Sequence, residues 1–463
     1  MTKKRAIVLA AGKGTRMKTD LPKCAFPILK KPMIEYIIEN LENSVVDETV
    51  VVIGHQREVF EDMLGGRVAF ALQEEQRGTG HACLATSSLL EGKQGTTLVL
   101  LGDMPLINNK LINKILNAHE NSNNDLTVVT AEFDNPKGYG RIVRNQYGRI
   151  QAIVEDADCT QEQKAIKEIN TGIYAVDNEL LFKYLPEIEL NRRKGEYYLT
   201  DIVSLMQKDC HIGTFEMRDA YRVMGVNDLY NASVAEKHLR EDINKRHMLA
   251  GVSIINPETV TIGHNVMIEP GVTVHPNTTI TGESSIGESA IIGPNSEIHN
   301  SIIRPGVHVR HSLVFDSEVM ERTTVGPFAH LRAGAQIGPD NRIGNFVEIK
   351  KTITGPYTKA AHLAYIGDAD VGHSVNFGAG SVTVNFDGVE KHKTTIGNDV
   401  FIGCNTNLIA PITIDDNVFI AAGSTVTKNV PKGALAIARN KQINKEDYVK
   451  HLIRPRHNGN GQK

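Results

Sequence analysis

Long apolar runs, an excess of either charge and closely paired cysteines are all missing from this chain of 463 residues. No stretch approaches the ~18 to 20 apolar residues that a transmembrane helix needs, so integral membrane association is not expected. The start "MTKKRAIVLAAG" has the basic and apolar parts of a signal peptide, but "GKGTRMK" interrupts the apolar run too early, and it reads as a first buried strand. Lys plus Arg number 51 against 54 Asp plus Glu, a net charge of −3. Nothing global therefore attracts nucleic acid or an anionic membrane, and any phosphate site must be local. Cys24, Cys83, Cys159, Cys210 and Cys404 lie far apart with no C-x-x-C pair. That spacing disfavours a structural zinc or a disulfide framework and points to a reducing cytoplasm. The length exceeds one core and predicts at least two domains.

Two periods divide the chain. Up to residue 227, β-rich runs such as "RAIVLA", "TVVVIG" and "TLVLLGD" alternate with helical patterns such as "PMIEYIIENLEN" and "NKLINKILNAHE". Strand, helix, strand with short connections predicts a mostly parallel α/β sheet of Rossmann-like type, with ligands at the carboxyl ends of its strands. Residues 228–250 read as a connecting helix, charged and free of Gly and Pro. From 251 to 441 the aliphatic positions recur every six residues: Ile262, Ile268, Val274, Ile280, Ile286, Ile292, Ile298, and again Ile396 to Val426. A period of six fits neither a helix nor an alternating strand; it predicts a hexapeptide-repeat β-helix, a triangular prism with aliphatics on its axis and a small residue turning each corner. The repeat is expected to break at 349–371 and at "VNFDGVEKHKTT", where loops would bind something. Residues 442–463 read as a tail whose "RPRHNGNGQK" is expected to be disordered.

The loop "LAAGKGTRMKTDLPK" after the first strand fails the Walker pattern, and Met17 fails the G-x-G-x-x-G fingerprint. What remains is Gly12 and Gly14, which let backbone N–H groups approach a polyphosphate, with Arg16 and Lys23 supplying charge. Taken singly, the polar positions further on have plain explanations: Asp103 as a helix cap, Gly140 and Asn170 as turn residues, His81 as a helix residue without chemistry.

The full string resembles the "LAAGxGTRM…PK" signature of sugar-1-phosphate nucleotidylyltransferases, and further matches follow in order: "LQEEQRGTGHA", "LGDMP", "GYGRI", "IVED", "EINTGIY" and "GVN". The resemblance implies that UTP and the sugar nucleotide bind Leu9, Ala10, Ala11, Gly12, Lys23, Gln73, Gly78, Thr79, Leu101, Gly102, Asp103, Gly140, Glu155, Asn170 and Asn227. Gln73, Gly78 and Thr79 would read the pyrimidine. Asp103 and Asn227 would hold Mg²⁺, which accepts few protein ligands. Arg16 and Lys23 would neutralise charge while a sugar-phosphate oxygen attacks the α-phosphorus and pyrophosphate leaves.

Hexapeptide prisms commonly carry acyltransferases, which need a base. His362 in "KAAHLAYIGD" has company in "LRAGA", "VEIKK", "NFGAG", "VNFDG", "IGCNT", "IAAGSTVT" and "AIARNKQ". In this order the set resembles the bifunctional enzymes of UDP-N-acetylglucosamine synthesis, in which a glucosamine-1-phosphate acetyltransferase is fused to an N-acetylglucosamine-1-phosphate uridylyltransferase. The resemblance spans residues 5 to 441 and implies His362 as base, with Glu348 orienting it. Arg332, Lys350, Tyr365 and Asn376 would hold glucosamine-1-phosphate; Ala379, Asn385, Phe386, Cys404, Ala422 and Arg439 would line the acetyl-CoA channel. It also implies a homotrimer, with the loop "NFDGVEKHKTT" reaching a neighbour's acetyl site. Phe386 stands where tyrosine is usual and Cys404 where serine is usual; each lost hydroxyl removes at most ~0.5 to 1.5 kcal/mol. "LGD" lacks the aromatic that often precedes Gly102, and "PKCAFPIL" departs after Lys23. The competing readings are a monofunctional nucleotidylyltransferase whose β-helix only oligomerises, and a non-enzymatic scaffold. The intact His362 cluster opposes the first, and Arg16, Lys23 and Asp103 oppose the second.

Overall fold

The computed structural model describes residues 3–12 and 14–452, so most of the expected tail, from 453 on, lies outside the described residues. The chain divides into two compact units between Ile243 and Asn244.

The first unit is built on a nine-stranded sheet: β1 (Lys4–Leu9), β2 (Glu48–Ile53), β3 (Ala69–Leu72), β4 (Thr96–Leu101), β5 (Leu126–Glu132), β6 (Arg141–Arg144), β7 (Ile150–Val154), β8 (Glu168–Asp177) and β9 (Ile212–Met217), in the order β9-β5-β8-β4-β1-β2-β3 with β6 and β7 hung from β8. β1 pairs in parallel with β2 and β4. Its "AIVL" is apolar throughout because both faces are covered: Ala6 and Val8 enter one core, Ile7 the other. Helices α1 (Met33–Glu42), α2 (Arg57–Leu64) and α4 (Asn109–Asn121) give Ile34, Phe60 and Ile112 to the first core, and α3 (Thr79–Leu84) gives Cys83 to the second. Each buried Ile or Phe contributes roughly 1.5–3 kcal/mol of transfer free energy. β8 runs antiparallel to both of its main neighbours, β4 and β5, as β6 and β7 do to theirs, and its register with β5 shifts between Asn170 and Tyr174.

Helix α5 (Leu229–Leu249) contains the boundary between the units, and residues on either side of it are tied into their own unit. Arg222 grips Asp242 with two hydrogen bonds in the first unit. In the second, the Asn244 amide donates to Pro257 O at 2.9 Å and Val260 O at 3.0 Å.

The second unit is the expected prism. Short strands from Ser253–Ile254 to Leu435–Ala436 pair in parallel one coil apart, mostly with the strand three further on, so three faces recur per coil. One axial column runs Ile262, Ile280, Ile298, Val314, Leu331, Ile349 and Ile366, all buried.

Two expectations are corrected. The segment 349–371 is no thrown-out loop. Arg342–Thr354 and Lys359–Val371 are continuous paired coils, with Ala360 taking an axial place and the coil one residue short of three hexapeptides. Apart from Gly293 and Gly326, which have positive φ, the glycine after an aliphatic is not there to turn the corner. A Cβ on Gly344 would lie 1.9 Å from Ala361 O, and one on Gly403 2.4 Å from Ala422 N, so contact with the next coil's backbone demands glycine. The left-handed corner conformations fall on residues such as Asn295, His311, Phe328, Phe346 and Leu363. The second expected break is present: residues 385–393 form an inserted hairpin between Val382–Val384 and Thr394–Ile396, bridged at Phe386 and Lys391.

Candidate active sites

In the first unit β1 and β4 end side by side, with Leu9 opposite Leu101, and the expected residues follow from those two ends. Ala10 N–H donates to Val52 O and Gly102 N–H to Leu9 O, which fixes both exits. Gly12 has open space where a side chain would be. Gly14 is glycine for another reason: at φ +62° its Cβ would meet Lys23 Cβ at 2.4 Å, so the Lys23 chain passes across it.

Lys23 is the centre of the polar cluster. Its ammonium contacts the Asp103 carboxylate and donates to Asn227 Oδ1 at 2.7 Å, while Arg16 Nη2 donates to the same oxygen at 2.8 Å. The other Asp103 oxygen, Oδ1, is buried without a hydrogen-bond partner, and Gly225 packs beside both Asp103 and Asn227. Among the described residues no three His, Cys, Asp or Glu side chains converge as a metal cage. One carboxylate with a free oxygen and one carboxamide oxygen suit a cation that keeps water and phosphate ligands, and so fit Mg²⁺.

An open cleft of about 220 Å³ lies beside this cluster and is lined by nine of the expected residues: Leu9, Arg16, Thr79, Leu101, Asp103, Gly140, Glu155, Asn170 and Asn227. Glu155 accepts from Thr200 Oγ1 at 3.2 Å. Burial first, then Asp201, Asp158 and Glu196, push its carboxyl above the usual range. Asn170 donates to the Tyr174 hydroxyl at 2.7 Å, and the bulge at Gly172 places that glycine against Leu101. Lys23, Gln73 and Gly78 lie outside the cleft lining. Gln73 is 3% exposed, its amide held by Gly78 O and His81 Nδ1. Thr79 Oγ1 accepts from Leu199 N–H at 3.0 Å. Tyr139 and Tyr174 were missed as lining residues, although both stand inside the quoted strings "GYGRI" and "EINTGIY". Burial and then Asp103 raise the Tyr139 phenol, opposed by a hydrogen bond to the Gly225 backbone.

In the prism each residue faces the one a coil away, and this rearranges the second set. His362 stacks on Asn345, and its Nδ1 lies 2.8 Å from Asn345 Oδ1. Glu348 stacks instead on Tyr365 and accepts from Arg332 Nη1 at 2.6 Å, so the structure gives it Arg332 and not His362 as partner. Lys350 is on the same face, beside Arg332 through the register. Lys391 of the hairpin comes against it, and that ammonium, with desolvation and Arg332 following, holds Lys350 below its ordinary value. Arg332, Lys350 and Lys391 thus form a cation cluster that the sequence reading caught only in part. Asn376 pairs with Lys359 and Phe401, on a different face from Tyr365.

The residues expected along the acetyl-CoA channel fall in two places. Ala379, Cys404, Ala422 and Arg439 descend one corner below His362: Asn405 N–H donates to Ala379 O, Gly423 N–H to Cys404 O, and Arg439 Nη1 to Ala422 O. At ~4.8 Å per coil the four steps from His362 to Arg439 span roughly 19 Å. Asn385 and Phe386 sit at the far end of the Tyr365 face, where Asn385 donates to the Tyr365 hydroxyl at 3.4 Å and contacts Asp368. Asp387 caps the hairpin through Val389 N–H, Glu390 N–H and His392 Nε2.

Known proteins carry the same two parts. Residues 5–234 match the nucleotidyl transferase family, 262–362 the GMPPB C-terminal domain, and 393–428 the bacterial transferase hexapeptide family of six repeats, which makes the prism a left-handed parallel β-helix. The bifunctional protein GlmU of Acholeplasma laidlawii is 62% identical over 98% of this chain and 99% of its own length. Those of Halalkalibacterium halodurans and Staphylococcus haemolyticus are 45% and 46% identical over 97% and 96% of this chain, and 99% of each relative. The chain belongs to the bifunctional GlmU family, the uridylyltransferase–acetyltransferases of UDP-N-acetylglucosamine synthesis.

Proposed function

We propose that the cluster around Lys23 and the corner at His362 are the two active sites. Glucosamine-1-phosphate and acetyl-CoA give N-acetylglucosamine-1-phosphate at the second, and that product with UTP gives UDP-N-acetylglucosamine and pyrophosphate at the first. The observation that carries the reading is the convergence of Arg16, Lys23, Asp103 and Asn227 on one cleft at the ends of β1 and β4.

In uridylyl transfer a phosphate oxygen of the sugar attacks the α-phosphorus, and the bond to pyrophosphate breaks. Arg16 and Lys23 bring preorganised positive charge to the leaving group. Asp103 and Asn227 would hold Mg²⁺, which supplies charge neutralisation on the phosphates when bound. Tyr139, Glu155, Asn170 and Tyr174 shape the sugar side of the cleft, and alignment of the two phosphates does the rest.

In acetyl transfer His362 acts through Nε2, because Nδ1–H donated to Asn345 Oδ1 leaves Nε2 as the acceptor. It takes the proton of the glucosamine amine as nitrogen attacks the thioester carbonyl; the C–S bond breaks and CoA leaves as the thiol. Arg332, Lys350 and Lys391 form the phosphate site. The corner line at Ala379, Cys404, Ala422 and Arg439 matches an extended cofactor.

The placement of Asn385 and Phe386 at the far end of the Tyr365 face, away from that corner, supports a homotrimer, in which a second copy brings its hairpin to the site. The exposed column of Phe328, Phe346 and Leu363 supports it too, since a run of exposed apolar residues is normally covered. A cytoplasmic location follows from the substrates and the unpaired cysteines.

The test is a crossed pair of variants of the full chain. His362→Ala should abolish release of the CoA thiol while sparing pyrophosphate release, and Asp103→Ala should do the reverse. Loss of both activities in either folded variant would overturn the two-site assignment.

A further inference from the structure

The carboxamide of Gln73 is held in one orientation by its neighbours. Its backbone N–H donates to Ile53 O at 2.8 Å, so the residue is anchored to the sheet, and its side chain is buried. Nε2 has two hydrogens and two partners: Gly78 O at 3.1 Å and His81 Nδ1 at 3.1 Å. Gly78 O cannot reverse its role, since a carbonyl only accepts. His81 accepts at Nδ1 as the neutral tautomer with its proton on Nε2. Its ring is in turn stacked on Tyr197 at 6.3 Å, and the Arg77 guanidinium lies over Tyr197 at 5.4 Å. Gln73 Oε1 makes no hydrogen bond among the described residues, which leaves it as the free acceptor of the amide.

We propose that His81 is a positioning residue for base selection: by taking a hydrogen from Gln73 Nε2 it fixes Oε1 as the face that meets the nucleotide base. The inference rests on the reading that Gln73 contacts the pyrimidine. A base subsite presenting an acceptor takes a ring N–H, as uracil offers at N3. It rejects cytosine, whose N3 is a lone pair, because two acceptors face each other and a buried polar group is left unpaired. Without the acceptor at position 81, Gly78 O alone opposes a turn of the amide, and the turned amide, which presents Nε2 to pair with cytosine N3, becomes more accessible. His81 thus sets nucleotide stringency without touching substrate.

The experiment compares kcat/KM for UTP and CTP in full-length His81→Leu and His81→Asn, with the thermal unfolding curve, set against the parent's, reporting that the first unit is folded. Leucine has no acceptor, whereas the asparagine Oδ1 takes the place of Nδ1. The UTP:CTP ratio should fall at least 10-fold in His81→Leu, mainly through KM, and return to within about 3-fold of the parent in His81→Asn. An unchanged ratio in His81→Leu, or an equal fall in both variants, would overturn the role of His81. Gln73→Ala separates the layers. If its KM for UTP is unchanged, the base-subsite reading itself fails; if KM rises while His81→Leu keeps the parent ratio, only His81 is wrong.

Discussion

Lys23 and Asn227 are joined by a 2.7 Å hydrogen bond, and the Lys23 ammonium also contacts Asp103, so one lysine spans the two side chains proposed to hold the metal. Lys23 and a bound cation would therefore compete for the same two side chains. Lys23→Gln should bind Mn²⁺, used as a spectroscopic probe, at least as tightly as the parent. Uridylyl transfer should nonetheless fall about 10²- to 10³-fold, the size of effect seen when one charge-stabilising donor is lost. Metal affinity falling together with activity would show that Lys23 supports the site and does not occupy it.

The His362–Asn345 contact leads to a different kind of test. Asn345→Ala should lower kcat of acetyl transfer about 10-fold by freeing the tautomer, and His362→Ala by about 10²- to 10⁴-fold by removing the base. If Asn345 works only through His362, the double variant should be no slower than His362→Ala alone. Glu348→Gln, which releases Arg332, should raise KM for the sugar phosphate and leave kcat nearly unchanged.

These contacts mark where sequence reading stops. The strand "RAIVL", the six-residue period and the ordered motifs were legible because each repeats or follows a rule along the chain. The partner of His362 was not, because it depends on which residue lies one coil above. That offset is seventeen residues at this coil, and it brings Asn345 to His362 and leaves Glu348 for Tyr365. Ala360 hid the continuing repeat because alanine is a weak aliphatic signal, and so 349–371 looked like an interruption. His81 looked idle because its function is a hydrogen bond to Gln73, eight residues earlier.

Glu155 is held at a thermodynamic disadvantage. Burial, with Asp201 and other carboxylates behind it, raises its folded-state value above that of the unfolded chain, so the native state binds the proton more tightly. Stability from this group is full below the unfolded carboxylate value of about 4.5 and is lost as pH rises through the raised folded value. Glu155→Gln should therefore raise Tm of the full chain by roughly 2–4 °C at pH 8, the shift expected for about 1 kcal/mol in a unit of this size. At pH 4 it should change Tm little. The same variant should raise KM for the sugar phosphate in uridylyl transfer about 10-fold or more, the size expected for one charged hydrogen bond. A Tm gain equal at both pH values would show that the substitution acts by packing.

Cys404 reports on the corner line. It is the exposed cysteine of the five: Cys24 and Cys83 are buried, and Cys159 and Cys210 are half-buried. Burial, with Asp103 adding and Lys23 opposing, pushes the Cys24 thiol up to about 12, and burial alone pushes Cys83 higher; both stay protonated and unreactive. Burial also raises the thiols of Cys159 and Cys210. A maleimide at neutral pH should thus modify Cys404 first, as peptide mapping would show. Cys404 lies one coil from Ala379 on one side and from Ala422 on the other, so an occupied cofactor line covers it. Acetyl-CoA should slow the labelling at least 10-fold while UTP leaves it unchanged, and the labelled chain should lose acetyl transfer and keep uridylyl transfer. Equal labelling with and without acetyl-CoA would remove Cys404 from the cofactor path and leave the corner without its proposed occupant.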